Sequence, residues 1–132
     1  MKDLKELMES KGISYSYQRC IILKNITGRK DHPTADRIYN DILKQIPGIS
    51  KTTIYNTLNT FAENNIINEL TITADEARYD PDTLTHHHFL CKKCGKIIDI
   101  DIPCPHIKKK AIEGNKIEEI HGYFKGICKK CL

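Results

Sequence analysis

Four cysteines arranged in two pairs have the most specific chemistry in this sequence. Cys91 and Cys94 form one Cys-x-x-Cys pair, and Cys128 and Cys131 form the other. Each pair can close a small chelate, and soft thiolate ligands in a set of four favour tetrahedral Zn²⁺. The spacing therefore predicts a structural zinc site. Because 33 residues separate the pairs, a small folded region must lie between them.

The cysteine pairs also permit two other interpretations. A Cys-x-x-Cys pair can act as the redox dithiol of a thiol-disulfide oxidoreductase, and four cysteines can hold an iron–sulfur cluster. Two pairs in one short region favour zinc over both, because so small a region gains from a metal that compensates for its limited core.

A run of three histidines, followed by aspartates, predicts a second metal site. Side chains alternate faces along a strand, so His86 and His88 share one face and His87 takes the other. On the far arm of the cysteine turn, Asp99 and Asp101 also share a face. Such mixed nitrogen and oxygen ligands suit Fe²⁺, Mn²⁺ or Zn²⁺. A solvated polar strand face is the alternative.

The elements before these motifs follow a winged helix-turn-helix order. Hydrophobic spacing predicts helices over residues 3–11 and 16–27, a third from His32 to Pro47, and a fourth over 50–64. Strands over residues 66–73 and 77–80 follow, with a turn between them. Helices followed by a β-hairpin are typical of winged DNA-binding domains.

The fourth helix is the candidate DNA-reading helix. Ser50 can cap it, and its apolar stripe predicts that one face packs inward. Its other face would then be free to enter the major groove. The candidate DNA contacts are Lys51, Thr52, Tyr55 and Asn56.

The second half of the chain reads as a smaller α/β domain. Strands are predicted over residues 86–90 and 96–102, a helix over 105–113 and a last strand over 117–127. We therefore expect an α+β protein with domains at residues 1–81 and 82–132.

Charge and composition agree with a nucleic-acid-binding protein. The net charge is +4, and Lys and Arg are in excess over Asp and Glu within residues 11–60, where the helices proposed to meet DNA lie. No apolar run approaches the ~18 residues of a membrane span, and the N-terminus does not read as a signal peptide. We expect a cytoplasmic protein without membrane contact.

Motifs along nearly the whole chain resemble the ferric-uptake-regulator (Fur) family, and most closely its peroxide-sensing (PerR) branch. The matching segments are His32-Pro33-Thr34-Ala35-Asp36, Thr53-Ile54-Tyr55-Asn56-Thr57-Leu58, Arg78-Tyr79-Asp80, His86-His87-His88-Phe89, Cys91 to Asp99, and Gly126 to Cys131.

The resemblance implies a homodimeric transcriptional repressor that binds a double-stranded DNA operator and is not an enzyme. It implies a winged-helix half, an α/β dimerisation half with a structural zinc held by four cysteines, and a regulatory Fe²⁺ or Mn²⁺ site. The regulatory ligands carried over from the family are His32, Asp80, His86, His88 and Asp99.

Peroxide sensing follows from the same resemblance. Peroxide sensors have Asp at position 99, where iron-uptake regulators usually carry Glu, and the residues implied to be oxidised are His32 and His86. Family members often have a histidine where this chain has Ile120, with His121 one position later. An additional metal site using His87, Asp101 or His121 is therefore left open.

Three other functions stay in view. An iron, zinc or manganese uptake regulator would share the fold and differ in its signal. A thiol-disulfide oxidoreductase would lack tight stoichiometric zinc. A zinc-binding interaction module would not need the Tyr55-bearing polar face of the fourth helix.

Overall fold

The computed structural model describes residues 2–71, 76–82, 87–102, 109–118, 120 and 122–132. The chain divides into two compact units, Met1–Thr83 and Leu84–Leu132. The first unit contains four helices and a two-stranded sheet, and the second contains strands. The chain therefore has the expected α+β class. Among the residues described, no helix is long and apolar enough to cross a membrane.

Four helices make up most of the first unit: α1 Lys2–Ser10, α2 Tyr17–Ile26, α3 Ala35–Leu43 and α4 Lys51–Glu63. Three of them begin after a hydroxyl cap. Ser16, Thr34 and Ser50 each accept a hydrogen bond from the backbone N–H three residues further on, which satisfies an otherwise unpaired donor. Helix α3 ends before the predicted Pro47, because the chain tightens after Leu43: Lys44 and Gln45 donate to the carbonyls three residues back, those of Asp41 and Ile42.

The wing of the first unit is an antiparallel pair, β1 Asn68–Leu70 and β2 Arg78–Asp80. Both strands are shorter than predicted. Ile66 donates its N–H to the carbonyl of Phe61, and Asn65 has a positive φ of 58°. Ile66 thus belongs to the turn that closes α4 and not to a strand. The predicted turn at residues 74–76 and the end of the first strand lie largely outside the described residues.

Apolar side chains from all four helices build one core. Ile22, Ile38, Ile54 and Phe61 are all completely buried, and the whole hydrophobic cluster of the described residues comes from the first unit. The stripe Ile54, Leu58 and Phe61 faces this core, as predicted, so α4 presents its opposite face to solvent.

The strands described in the second unit are β3 His87–Cys91, β4 Ile97–Ile100, β5 Ala111–Ile112, β6 Asn115–Lys116 and β7 Tyr123–Gly126. Three of them form one sheet in the order β4-β3-β7. Strand β3 pairs antiparallel with β4 and parallel with β7. Gly95, with a φ of +76°, allows the tight turn between β3 and β4.

The helix predicted over residues 105–113 is wrong where the structure describes it. Residues 103–108 lie outside the described part, and Lys109 and Lys110 are not helical. Ala111–Ile112 is a strand that pairs with Asn115–Lys116. Glu113 and Gly114 both have positive φ, 48° and 82°, as the two central residues of a tight hairpin turn require. The predicted strand over 117–127 is correspondingly reduced to β7.

Candidate functional site

The two cysteine pairs come together at one end of the second sheet. Cys91 is the last residue of β3, Cys94 lies in the turn that follows, and Cys128 and Cys131 come just after β7. Cys91 pairs in register with Gly126 of the parallel strand β7, which delivers Cys128 to the same end. One sulfur atom from each of the four cysteines lies within 4.8 Å of all the others.

The spacing of the sulfur atoms fits a tetrahedral zinc ion. With Zn–S bonds of about 2.3 Å, the sulfurs of a tetrahedral site stand about 3.8 Å apart. The Sγ atoms of Cys94 and Cys128 are 3.9 Å apart. Cys91 and Cys128 are buried, as expected of a closed structural site.

The backbone around Cys91 favours its thiolate. Its Sγ accepts hydrogen bonds from the backbone N–H of Cys128 at 3.3 Å and of Cys94 at 3.5 Å. These donors lower the pKa of Cys91 to about 6. Contact with the Cys128 sulfur instead raises the pKa of Cys131 to about 12. Four crowded sulfurs cannot all ionise without a cation, so the donor set matches a divalent soft metal.

A buried histidine–aspartate pair lies within the first unit. The Nε2 atom of His32 is 3.4 Å from Oδ2 of Asp80, with side chains only 2% and 4% exposed. Burial of such groups is costly unless they are paired or bind a metal. Two ligands bound at about 2.1 Å to one ion, with an angle of about 90–110° at the metal, would stand about 3.0–3.4 Å apart, so this pair has the spacing of two metal ligands.

Strand β2 of the wing holds the backbone at His32 by hydrogen bonds. The residue has a positive φ of 50°, which is uncommon for a side chain other than glycine. Arg78 donates from Nη1 to the His32 carbonyl at 3.3 Å, and the N–H of Tyr79 donates to the Pro33 carbonyl at 2.9 Å. Strand β2 therefore positions both members of the pair, Asp80 as its last residue and His32 through these bonds.

A second histidine–aspartate pair lies within the second unit. His88 of β3 stands opposite Asp99 of β4, and its Nε2 is 3.3 Å from Asp99 Oδ1. His88 is buried, whereas the Asp99 side chain is 41% exposed. The register brings together one histidine and one aspartate of the second metal site that the sequence predicts.

The other polar residues of this region have different surroundings. The ring of His87 packs against Gly122, where any side chain would collide with it, and lies 6.1 Å from the ring of Phe124. Asp101 is exposed. His86 and His121 lie outside the described residues.

The outer face of α4 carries the predicted DNA contacts. Lys51, Thr52, Tyr55 and Asn56 are all exposed. An acidic residue that the sequence left without a role lies among them: Asp36 of α3 accepts a hydrogen bond from the Tyr55 hydroxyl at 3.3 Å and pairs with Lys51 at 3.3 Å. Partial desolvation, with this carboxylate nearby, raises the pKa of Tyr55.

Sequence reasoning also missed the part played by Arg78. The motif Arg78-Tyr79-Asp80 indicates only a resemblance to the family, and no spacing rule connects Arg78 with the carbonyl of His32. The sequence does not predict the contacts of Asp36 with Lys51 and Tyr55 either, because both of these contacts depend on how α3 packs against α4.

The chain is similar to known proteins over most of its length. The sequence model of the ferric uptake regulator family matches residues 10–124. The peroxide-responsive repressor PerR of Staphylococcus epidermidis is 35% identical over 123 residues, which cover 91% of this chain and 82% of that protein. PerR of Staphylococcus aureus (strain Mu50) is 37% identical, and the match covers 91% of this chain and 83% of that protein.

Solved structures show the same fold. The Campylobacter jejuni peroxide stress regulator is 30% identical and covers 98% of this chain and 97% of its own, with a TM-score of 0.70. The ferric uptake regulator of Francisella tularensis, solved with iron, is 26% identical with a TM-score of 0.74. The match covers 91% of this chain and 95% of that chain. The chain therefore belongs to the ferric uptake regulator family, whose members are homodimeric, DNA-binding, metal-binding transcription regulators and not enzymes.

Proposed function

We propose that this protein is a metal-dependent repressor that senses peroxide through iron-catalysed oxidation of its own ligand histidines. The observation that carries the proposal is the pairing of a buried histidine with an aspartate in each unit, His32 with Asp80 and His88 with Asp99. The two staphylococcal relatives named as peroxide-responsive repressors support the choice of signal.

The four cysteines hold a structural Zn²⁺ in this proposal. The sulfur atoms of Cys91, Cys94, Cys128 and Cys131 lie within 4.8 Å of one another, and those of Cys94 and Cys128 stand 3.9 Å apart. A closed four-sulfur site leaves no open position for substrate, so its role is to stabilise the fold of the second unit and the dimer built on it.

The regulatory ion, Fe²⁺ or Mn²⁺, is held by five residues from both units: His32, Asp80, His86, His88 and Asp99. His86 is included in this ligand set because it matches the family motif. The other four residues match the family motifs as well, and they also form a histidine–aspartate pair within each unit. A shared ion makes the relative placement of the units depend on metal, so DNA affinity depends on metal by the same coupling.

Fe²⁺ held by these residues would supply the one-electron chemistry that cleaves peroxide to a strong oxidant beside its ligands, chemistry that Mn²⁺ would supply poorly and Zn²⁺ not at all. By family likeness, His32 and His86 are the imidazoles that gain oxygen. An oxidised imidazole is a poorer ligand, so the chain releases the ion and repression ends. Asp99 contributes a side chain one methylene shorter than glutamate, which sets how closely its carboxylate approaches.

DNA binding is assigned to the exposed face of α4. Lys51, Thr52, Tyr55 and Asn56 contact the major groove, while phosphate contacts supply most of the affinity. A two-fold dimer reads a pseudo-palindromic operator, one half-site for each winged helix.

Mass spectrometry tests this function at the level of residues. Iron-loaded protein treated with low peroxide should gain oxygen on His32 or His86, with the zinc-site cysteines intact, and manganese-loaded protein should gain none. Asp99→Glu should retain metal-dependent DNA binding and respond less to peroxide. Oxidation of Cys91 or Cys94 before any histidine, or equal histidine oxidation with both metals, would refute the mechanism.

A regulator of iron, zinc or manganese uptake is the second candidate. The similarity to the Francisella tularensis ferric uptake regulator, solved with iron, favours it. In that case DNA binding would follow the concentration of the metal, and peroxide would leave the ligand histidines unmodified.

A further inference from the structure

The carboxylate of Asp36 lies among the residues proposed to contact DNA. Its Oδ1 atom is 3.3 Å from the Nζ of Lys51 and 3.3 Å from the hydroxyl of Tyr55. The side chains of Asp36 and Lys51 are 53% and 55% exposed, and Tyr55 is 41% exposed. All three groups therefore stand on the surface that an approaching phosphate backbone would meet.

Helix α3 holds Lys51 by a second group as well. The Nζ of Lys51 lies 5.6 Å from the centre of the Tyr39 ring, within the range of a cation–π interaction. Asp36 and Tyr39 are one turn apart on α3, and Lys51 and Tyr55 are one turn apart on α4. In the DNA-free protein, Asp36 and Tyr39 thus keep the ammonium group of Lys51 directed toward α3.

Stability alone is a weak reason for this arrangement. Exposed ion pairs contribute little to folding because water screens them and long side chains lose freedom. As an acidic residue in the first turn of α3, Asp36 also interacts favourably with the helix dipole, but that interaction does not require its carboxylate to lie against Lys51. A negative charge on a DNA-facing surface, by contrast, directly opposes phosphate binding.

We propose that Asp36 is a specificity-determining residue that competes with DNA phosphates for Lys51. The inference rests on the proposed function, because it takes α4 as the helix that faces DNA. On random DNA, a phosphate must displace Asp36 before Lys51 can bind it, so about one fewer counterion is released. On an operator, contacts to the base edges offset this competition. Asp36 thereby lowers non-specific affinity more than operator affinity.

The variant Asp36→Asn removes the charge and keeps an oxygen that can accept from Tyr55. Binding of the full-length protein to a labelled random duplex should tighten. Its log–log salt dependence should steepen by about 0.9 for one added phosphate contact. The variant should therefore lose about 3.5-fold more affinity than the wild type between 50 and 200 mM salt. The preference for an operator duplex, enriched from a random pool by Mn²⁺-loaded wild-type protein, should fall.

Two controls isolate the contact from overall charge. Glu63→Gln makes the same charge change at the other end of α4, on an exposed residue, and should leave the salt slope near that of the wild type. In a Lys51→Gln background, Asp36→Asn should no longer steepen the slope, because the competed group is gone. Thermal unfolding identifies any variant that fails to fold, and Asp36→Ser then replaces Asp36→Asn with the same expectation on random DNA.

Three results would overturn the inference. These are an unchanged salt slope in Asp36→Asn, an equal steepening without Lys51, and a parallel loss of random and operator binding. The random-duplex measurement needs no regulatory metal. Failure of the wild-type protein to bind its enriched operator in a metal-dependent way would instead contradict the proposed function and leave the random-DNA comparison intact.

Discussion

Replacing Cys94 by serine should unfold the second unit and leave the first intact. Of the described residues from 87 onward, the buried apolar side chains are Ile97 and the thiols of Cys91 and Cys128. Burying an isoleucine side chain contributes about 1.5–3 kcal/mol. Structural zinc in finger peptides contributes roughly 10–16 kcal/mol. The proposed zinc site would therefore outweigh the apolar core of this unit, whereas the first unit has its own large hydrophobic cluster.

Cys94 suits this test because it is exposed, unlike Cys91 and Cys128. Serine at this position removes a metal ligand and little packing, so any unfolding reports loss of the ion. Zinc content by elemental analysis, dimerisation by size exclusion and limited proteolysis should be measured on the same samples. We expect loss of zinc, loss of the dimer and cleavage after residue 84, with residues 2–71 protected.

Lys92→Ser is the matched control, since Lys92 is an exposed residue of the same turn. Its backbone N–H donates to the Gly126 carbonyl at 2.8 Å, a bond that the substitution retains. This variant should keep its zinc and its dimer. A dimeric, protease-resistant and zinc-free Cys94→Ser protein would show that the metal does not stabilise this unit.

Three further predictions concern the first unit. Ser50→Ala removes the hydroxyl that accepts from the Thr53 N–H at 3.1 Å, and should cost about 1 kcal/mol and lower the Tm by about 4–8 °C; an unchanged Tm would count against the cap. Burial raises the pKa of Tyr79 to about 12, so the stability it contributes is complete below pH 10 and lost as the pH rises toward 12. In chemical unfolding curves, Tyr79→Phe should abolish this loss of stability at alkaline pH. If the loss persists, a group other than Tyr79 causes it. His32→Ala should retain zinc and the dimer but bind DNA equally with and without Mn²⁺, and a preserved metal dependence would remove His32 from the ligand set.

Local signals explain which elements the sequence could predict. Helix α4 has a cap at Ser50 and a regular stripe of apolar residues, and both signals lie within the helix itself. The cysteine pairs follow from short spacings, and strand alternation predicts which of the nearby histidines and aspartates share a face. The incorrect helix over residues 109–113 arose from a short stretch of helix-compatible residues. The Glu113-Gly114 turn, with two positive φ angles, reverses the chain there instead.

Contacts between residues distant in the chain could not be predicted in this way. His32 and Asp80 are brought together by hydrogen bonds between β2 and the segment before α3, and no spacing rule connects them. Family resemblance supplied both residues. Asp36 had no assigned role, because its contacts with Lys51 and Tyr55 depend on the packing of two helices.

The most direct test of peroxide sensing compares two metals on one DNA. Affinity for the enriched operator should be measured for zinc-containing protein loaded with Fe²⁺ or with Mn²⁺, before and after low peroxide under otherwise identical conditions. We predict tight binding with either metal, and loss of binding after peroxide with Fe²⁺ alone. Equal binding with and without the regulatory metal would leave no differential affinity to explain switching. Equal loss of binding with both metals would place the sensor elsewhere than at the iron ligands.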